Sequence, residues 1–306
     1  MYKYNYSVII PHFTRDGNTD VLRRAVESVP ERDDVQVFVV DNSLSPIPND
    51  LFSSRKNVTI LYSPNERKAG GARNVGIDNS DAKWFLFLDA DDFFTELAFD
   101  SFDKFLDSDY DLVFSLKRSV YGDDITKPAH RGDFTSNLVR EYLRTGDDTD
   151  LRINYPSPCA KMVRSAMVYE KNIRFDECPA SNDVMFALKV GLAARKIGAD
   201  AVETYTVTTT AGSITRTRSL ENIESVFFVR ERYNTMLKNN GFRPNKSEMI
   251  CIIRSAKYGI KPFMKLLFIA LKSGNLFNGW SNWINSFFHQ FSKQRRMDDA
   301  KYNVDK

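Results

Sequence analysis

No stretch of the sequence has the roughly 18 to 20 consecutive apolar residues that a membrane-spanning helix needs. None of the 306 residues is therefore assigned to such a span. The start also lacks an apolar segment behind a basic one, the pattern of a secretory signal, so a cytoplasmic setting is expected. Cysteine is scarce. Cys159, Cys178 and Cys251 are odd in number and have no C-x-x-C spacing, which argues against a disulfide framework and against a structural zinc site. Charge of one sign is missing too: 43 Lys and Arg against 40 Asp and Glu leave +3, too balanced for a nucleic-acid binder, although the basic excess lies toward the C-terminus. Internal repeats and low-complexity tracts are absent. The length suits one large α/β domain with an appendage, or two domains.

What is present is a fully apolar run, Trp84-Phe85-Leu86-Phe87-Leu88, ending abruptly in Asp89-Ala90-Asp91-Asp92. A short aromatic run of this kind reads as a strand buried on both faces. Carboxylates at the carboxyl end of such a strand lie in the crevice where open α/β sheets bind their ligands. Strand alternation would put Asp89 and Asp91 on one side. Hard oxygen donors at this density suit Mg²⁺ or Mn²⁺, and such an ion would in turn hold phosphate oxygens. The competing use is structural, with Asp91 or Asp92 capping a helix expected over residues 95–106.

Strands are expected over residues 6–11, 35–40 and 58–62, with a helix between the first two capped by Asn18 or Thr19. The second strand ends in Asp41-Asn42-Ser43, again polar groups at a carboxyl end. Gly70-Gly71 stand just ahead of another helix, where missing side chains let a ligand approach and free N–H groups suit an anion. Arg73, in the first turn of that helix, offers a bidentate contact to phosphate. A plain turn is the competing use of the glycines. Further on come a strand over 111–117, a glycine-bounded loop over 122–132, a helix over 136–144, and a helix opened by Ser181-Asn182-Asp183, where Asn182 or Asp183 would serve as a cap. A threonine-rich strand follows over 202–210. This alternation predicts an α/β fold with a mostly parallel sheet flanked by helices.

Five pieces, Ser7-Val8-Ile9-Ile10-Pro11, Val39-Val40-Asp41-Asn42-Ser43, Gly71-Ala72-Arg73-Asn74-Val75-Gly76, Leu88-Asp89-Ala90-Asp91-Asp92 and Ser181-Asn182-Asp183-Val184-Met185-Phe186, together resemble the family 2 glycosyltransferases in order and separation. These are inverting enzymes of the GT-A fold. The resemblance covers about the first 215 residues. It implies a GT-A catalytic domain over 1–217, with a nucleotide-binding half over 1–118 and an acceptor half over 119–217. It also implies transfer of a sugar from a nucleotide donor, expected to be a UDP-sugar, to a hydroxyl of a glycan or lipid-linked acceptor. Carried over residue by residue, it places Pro11, Asp41, Arg73, Asp89, Lys161 and Asn182 at the substrates. Asp41 would meet the base, Arg73 the base or diphosphate, and Asp89 the ribose. Asp91, with Asp92 as competitor, would ligate Mn²⁺ or Mg²⁺, and Asp183 would be the catalytic base.

Three departures bear on those assignments. Asn182 stands where the family usually has Glu, and Asp41-Asn42 where many members have Asp-Asp. The histidines are His12, His130 and His289, so none falls near residues 205–215, where some members supply one to the metal. Ser213 and Arg216 could line the diphosphate there instead, with a plain loop as the competing use. Beyond the resemblance, a long helix is expected over 219–239. Residues 250–296 then interleave lysines with aromatics such as Trp280, Trp283, Phe287 and Phe288, ahead of Lys293, Arg295 and Arg296. That composition fits a membrane-surface segment, helices packed within the chain, or a homodimer contact, all in a C-terminal region over 218–306. Three rivals remain. A haloacid-dehalogenase-type phosphatase would use Asp89 and Asp91, but Asp92-Phe93-Phe94 does not fit its pattern. A nucleotidyltransferase would need a glycine-rich loop after the first strand, which His12-Phe13-Thr14 does not offer. A catalytically silent binding member of a glycan-assembly complex is kept open by Asn182.

Overall fold

The computed structural model describes residues 2–130, 132–209, 219–276 and 278. The chain divides into two compact units, Met1–Thr217 and Arg218–Lys306. The first is built on an eight-stranded sheet: β1 (Tyr4–His12), β2 (Val35–Asp41), β3 (Val58–Tyr62), β4 (Ala82–Phe87), β5 (Phe93–Phe94), β6 (Leu112–Tyr121), β7 (Lys161–Arg164) and β8 (Ile197–Thr209). Their spatial order is β3-β2-β1-β4-β7-β6-β8-β5. β1 pairs in parallel with β2 and β4, β2 with β3, and β6 with β8. β7 runs against both β4 and β6. Because of that reversal, the amino end of β7 meets the carboxyl end of β4, and Phe87 bridges to Cys159.

Local chemistry explains why the site forms where it does. Residues 84–88 are buried almost completely, as a strand covered on both faces should be. The helix α2 (Lys68–Asp78) lies on β1 so closely that a Cβ on Gly76 would come within 2.5 Å of Ile9 Cγ2. At the end of β4, the Phe87 ring meets Phe175 and Phe186 edge-on at 5.0 and 5.3 Å, and those two rings stack at 3.8 Å. This aromatic knot fixes the start of α7 (Val184–Ala193), and with it Asp183, beside the acidic turn.

Other helices of this unit are α1 (Asp20–Glu27), α3 (Ala98–Asp103), α4 (Asp133–Thr145), α5 (Thr149–Ile153) and α6 (Ser165–Glu170). The helix expected over 95–106 is only the six residues of α3. Residues 93 and 94 pair with β8 instead, and the Thr95 N–H donates to Thr204 O at 3.0 Å. The N-cap of α3 is Leu97, so neither Asp91 nor Asp92 caps it. Gly70 and Gly71 do not precede α2 but lie within it, and Arg73 falls in its second turn. Their smallness serves packing: a Cβ on Gly70 would sit 1.9 Å from Asp176 O, and one on Gly71 2.2 Å from Arg67 Cβ.

The second unit contains α8 (Leu220–Asn239), α9 (Met249–Ser255) and α10 (Ile260–Ser273). Ser219 caps α8 through Oγ, which accepts from the Asn222 N–H at 3.2 Å. Ile223 and Phe227 form a small core with Cys251, Ile252, Leu266, Ala270 and Leu276. Among the described residues no helix is long and apolar enough to cross a membrane. Ser213, Arg216, Trp280, Trp283, Phe287, Phe288, Lys293, Arg295 and Arg296 lie outside the described residues.

Candidate active site

The acidic stretch after β4 is a turn, closed by the Asp92 N–H donating to Asp89 O at 3.0 Å. Strand alternation therefore does not apply to it, and its three carboxylates go three ways. Asp89 is 41% exposed and pairs with Arg73 Nη2 at 2.6 Å. Asp92 is turned inward and only 5% exposed. Its Oδ2 accepts from the Tyr205 hydroxyl at 2.8 Å and its Oδ1 from the Thr208 N–H at 2.7 Å. The same Tyr205 oxygen accepts from the Asp89 N–H at 3.1 Å, so one hydroxyl on β8 ties both ends of the turn. Burial, then the charges of Asp91 and Asp89, raise the Asp92 pKa well above the carboxylate range. Asp91 is half-buried, and Arg24 Nη2 donates to its backbone carbonyl at 2.8 Å.

Arg73 connects this turn to the segment before α7. Its Nη1 donates to Asn182 Oδ1 at 2.9 Å, and its guanidinium lies 5.2 Å from the centre of the Phe175 ring. Asn182 is thus an acceptor for Arg73. Asp183 occupies the N-cap position of α7, yet its side chain makes no capping hydrogen bond. The carboxyl group is left to other work. Burial raises its pKa above the ordinary value, with the Arg73 charge opposing.

Asp41 lies 1% exposed at the end of β2. Its Oδ1 is 2.9 Å from His12 Nδ1 and accepts from Ser43 Oγ at 2.7 Å, while Oδ2 accepts from the Ile47 N–H at 3.0 Å. Burial works against the charged form, but these bonds hold the pKa below the usual value. Asp41 therefore shapes the loop after β2 through internal bonds. Pro11, opposite Val40 in the β1–β2 register, lies beside it. Lys161 is 2% exposed, with its ammonium over the rings of Phe114 and Tyr155. Burial, then repulsion from Lys117, push its pKa down to about 7.

Sequence reasoning brought Arg73, Asp89, Asp91, Asn182 and Asp183 forward, but it missed Tyr205, Lys117, Arg24 and the pairing of His12 with Asp41. Lys117 had a signal, since a lysine within an apolar strand is anomalous. Tyr205 had none. Among the described residues no group of three or more His, Cys, Asp or Glu side chains is arranged to hold a metal. The arrangement still suits Mg²⁺ or Mn²⁺ in one way, since such ions bind through one or two carboxylates and complete their shell with substrate phosphates and water.

An eight-stranded, mostly parallel sheet with one reversed inner strand, an acidic turn after β4 and a carboxylate at the head of α7 define a GT-A glycosyltransferase fold. The family model for glycosyl transferase family 2 matches residues 7–170, more than half of the chain, and the chain belongs to that family. The poly(ribitol-phosphate) beta-N-acetylglucosaminyltransferase TarS of Staphylococcus aureus is 23% identical over 199 residues, covering 63% of this chain and 33% of TarS. The chain thus spans about a third of the length of that curated relative. The crystal structure of TarS 1-349 in complex with UDP-GlcNAc superposes with a TM-score of 0.58 at 18% identity, over 86% of this chain and 72% of that one. The complex of TarS 1-349 with UDP gives 0.58 at 19% identity, over 83% and 70%. At these identities the likeness establishes the shared fold.

Proposed function

We propose that the chain is an inverting glycosyltransferase moving a sugar from a UDP-sugar, in the first instance UDP-GlcNAc, to a hydroxyl of a glycan or glycolipid acceptor, as in polysaccharide biosynthesis. The observation that carries this reading is Asp183, at the head of α7 with no cap bond to make and brought by the fold beside Arg73, the partner of Asp89. Family membership and the UDP-GlcNAc complex of TarS support the donor. A domain over 1–217 would carry the catalysis.

In the reaction, Asp183 accepts the proton of the acceptor hydroxyl as that oxygen attacks the anomeric carbon from the face opposite the diphosphate. The new C–O bond forms while the bond to the diphosphate breaks, and UDP departs with the electron pair, leaving inverted configuration. Its raised pKa makes Asp183 a stronger base than an ordinary aspartate. Arg73, held by Asp89 and Asn182, sets the cleft's charge near the diphosphate and Asp89 faces the ribose. Pro11 and the Asp41 loop form the base end. We assign the metal to Asp91, because Asp92 would have to break two hydrogen bonds to turn outward. When bound, Mn²⁺ or Mg²⁺ would stabilise the charge growing on the leaving diphosphate.

The alternative of a silent binding member is addressed by the same feature, since Asn182 serves Arg73 and leaves Asp183 in place. Calorimetric titration of UDP-GlcNAc and UDP with and without Mn²⁺, followed by a transfer assay, tests the reading. Failure of every nucleotide to bind more tightly with metal overturns its metal-dependent form, and binding without transfer to any acceptor supports the silent one. For the second unit we propose peripheral contact with an anionic bilayer. Ile260, Met264, Phe268 and Leu271 form an exposed apolar stripe on α10, flanked by Lys257, Lys261, Lys265 and Lys272. Co-sedimentation with anionic vesicles, lost in Phe268→Asp, is expected; a concentration-dependent dimer without vesicle binding overturns it.

A further inference from the structure

Arg67, at the N-cap of α2, and Gly70, Arg73 and Asn74 within that helix all meet one segment, residues 175–182, which leads into Asp183. Gly70 lets Asp176 O close onto the helix. Arg67 Nε donates to Glu177 Oε2 at 2.9 Å, and Arg73 holds the far end of the segment through Asn182 Oδ1. Asn74 holds the near end. Its Nδ2 donates to Phe175 O at 3.0 Å and to Glu177 Oε1 at 3.3 Å, while its Oδ1 accepts from the Phe175 N–H at 2.9 Å.

Asparagine is a poor residue for a helix interior, and it is seldom buried. Here it is 4% exposed, and its amide gives Phe175 both of the backbone bonds that a neighbouring strand would supply. The consequence reaches α7. The Phe175 ring stacks on Phe186 with an interplanar angle of 7°, and Phe186 stands in the first turn of α7, just past Asp183.

Nothing local aims the Asp183 carboxyl, since its side chain makes no cap bond. The backbone ahead of it is strained: Ser181 has a φ of 60°, in the left-handed region that residues other than glycine seldom adopt. Such a conformation persists only where its surroundings impose it. The Asp176 N–H closes the segment on Asn182 O at 3.2 Å, and Asn74 fixes where that closed segment starts. The direction of Asp183 is therefore set from α2, on the donor half.

We propose that Asn74 is a positioning residue for the transfer step: by holding Phe175 against α2 it sets the direction from which Asp183 meets the acceptor hydroxyl. The inference rests on Asp183 being the base. Arg73 and Asn74, neighbours on one helix, then divide the task, one holding the residue before the base and the other the stack behind it.

Hydrolysis of UDP-GlcNAc provides the test, with water in place of the acceptor, in the full chain. Asn74→Ser shortens the side chain so that it no longer spans both Phe175 groups. It should lower kcat roughly 10- to 100-fold, as a base displaced by about 1 Å does, with UDP-GlcNAc affinity by calorimetry within about twofold of wild type. In an Asp183→Asn background the same substitution should have no further effect on kcat, because it acts only through Asp183. An equal loss in both backgrounds, or a parallel loss of affinity, overturns the proposal and leaves Asn74 an architectural residue. Hydrogen exchange of the wild-type Phe175 N–H gives a check that stands even where Asn74→Ser fails to fold. Protection well beyond that of exposed loop amides is expected, and exchange at their rate overturns the proposal. Asp183→Asn hydrolysing at the wild-type rate would sink the base reading itself, whereas Asn74→Ser at full rate beside an impaired Asp183→Asn sinks only the role of Asn74.

Discussion

Arg73 and Lys161 are cations of nearly equal burial in one unit of the molecule, yet the protein treats them differently. Arg73 has a carboxylate at 2.6 Å, an amide oxygen at 2.9 Å and an aromatic face, and only its Nε lacks a partner. Lys161 has rings and a second lysine. A matched cation ties elements together: here α2, the acidic turn and the residue before Asp183. A cation without a carboxylate partner costs stability instead, since its desolvation is only partly offset by ring faces. The contrast separates a buried charge that the fold uses as a tie from one that it carries at a cost.

The largest effect should come from the group between the two. Asp183→Asn is expected to lower transfer by roughly 10²- to 10⁴-fold, the usual contribution of a positioned base, with UDP-GlcNAc affinity within about twofold. Equal loss of both in calorimetry and assay would move Asp183 into the architecture with Arg73. Next, Arg73→Met should destabilise the fold by about 1–3 kcal/mol in chemical unfolding. That is less than a fully buried broken pair costs, because Asp89 reaches solvent. A neutral result would erase the contrast.

Lys161→Met should do the reverse and stabilise the fold by about 1–2 kcal/mol, since an unmatched buried charge is replaced by an apolar chain of similar length. Its pH dependence has a definite sign. Lys161 is pushed down to about 7 in the folded chain, whereas an unfolded lysine titrates near 10.4. Between those values the unfolded state binds more protons, so the native fold recovers stability as pH rises and the variant's advantage fades. The gain should be full below about pH 7 and small near pH 10 by thermal melts; a pH-independent gain would mean Lys161 is not the source. The smallest effect belongs to Tyr205→Phe, which leaves Asp92 one partner short and should cost about 1 kcal/mol while Mn²⁺-dependent UDP binding persists. Loss of that binding with the fold intact would return Asp92 to the metal.

Much of this was legible in the residues. The apolar run into three aspartates, Arg73 and Asn182-Asp183 sit at separations that mark the family, and the α/β alternation follows from their spacing. Other features were not legible. Gly70-Gly71 read as a ligand approach or a plain turn ahead of a helix, and neither reading found their packing role, because only the folded chain shows Asp176 O where a Cβ on Gly70 would be. Asp91 and Asp92 are chemically identical neighbours, and a hydroxyl 113 residues away on β8 distinguishes them.

Composition and order thus settled the sheet, its crevice and the chemical types available there, since those depend on periodicity and on which end of a strand carries polar groups. Only the tertiary structure decided which charges meet. Whether a carboxylate faces a tyrosine, an arginine or open cleft, and whether a lysine finds a carboxylate or a ring, depends on contacts between residues distant in sequence. Those contacts also set each group's solvation and hence its free energy of charging.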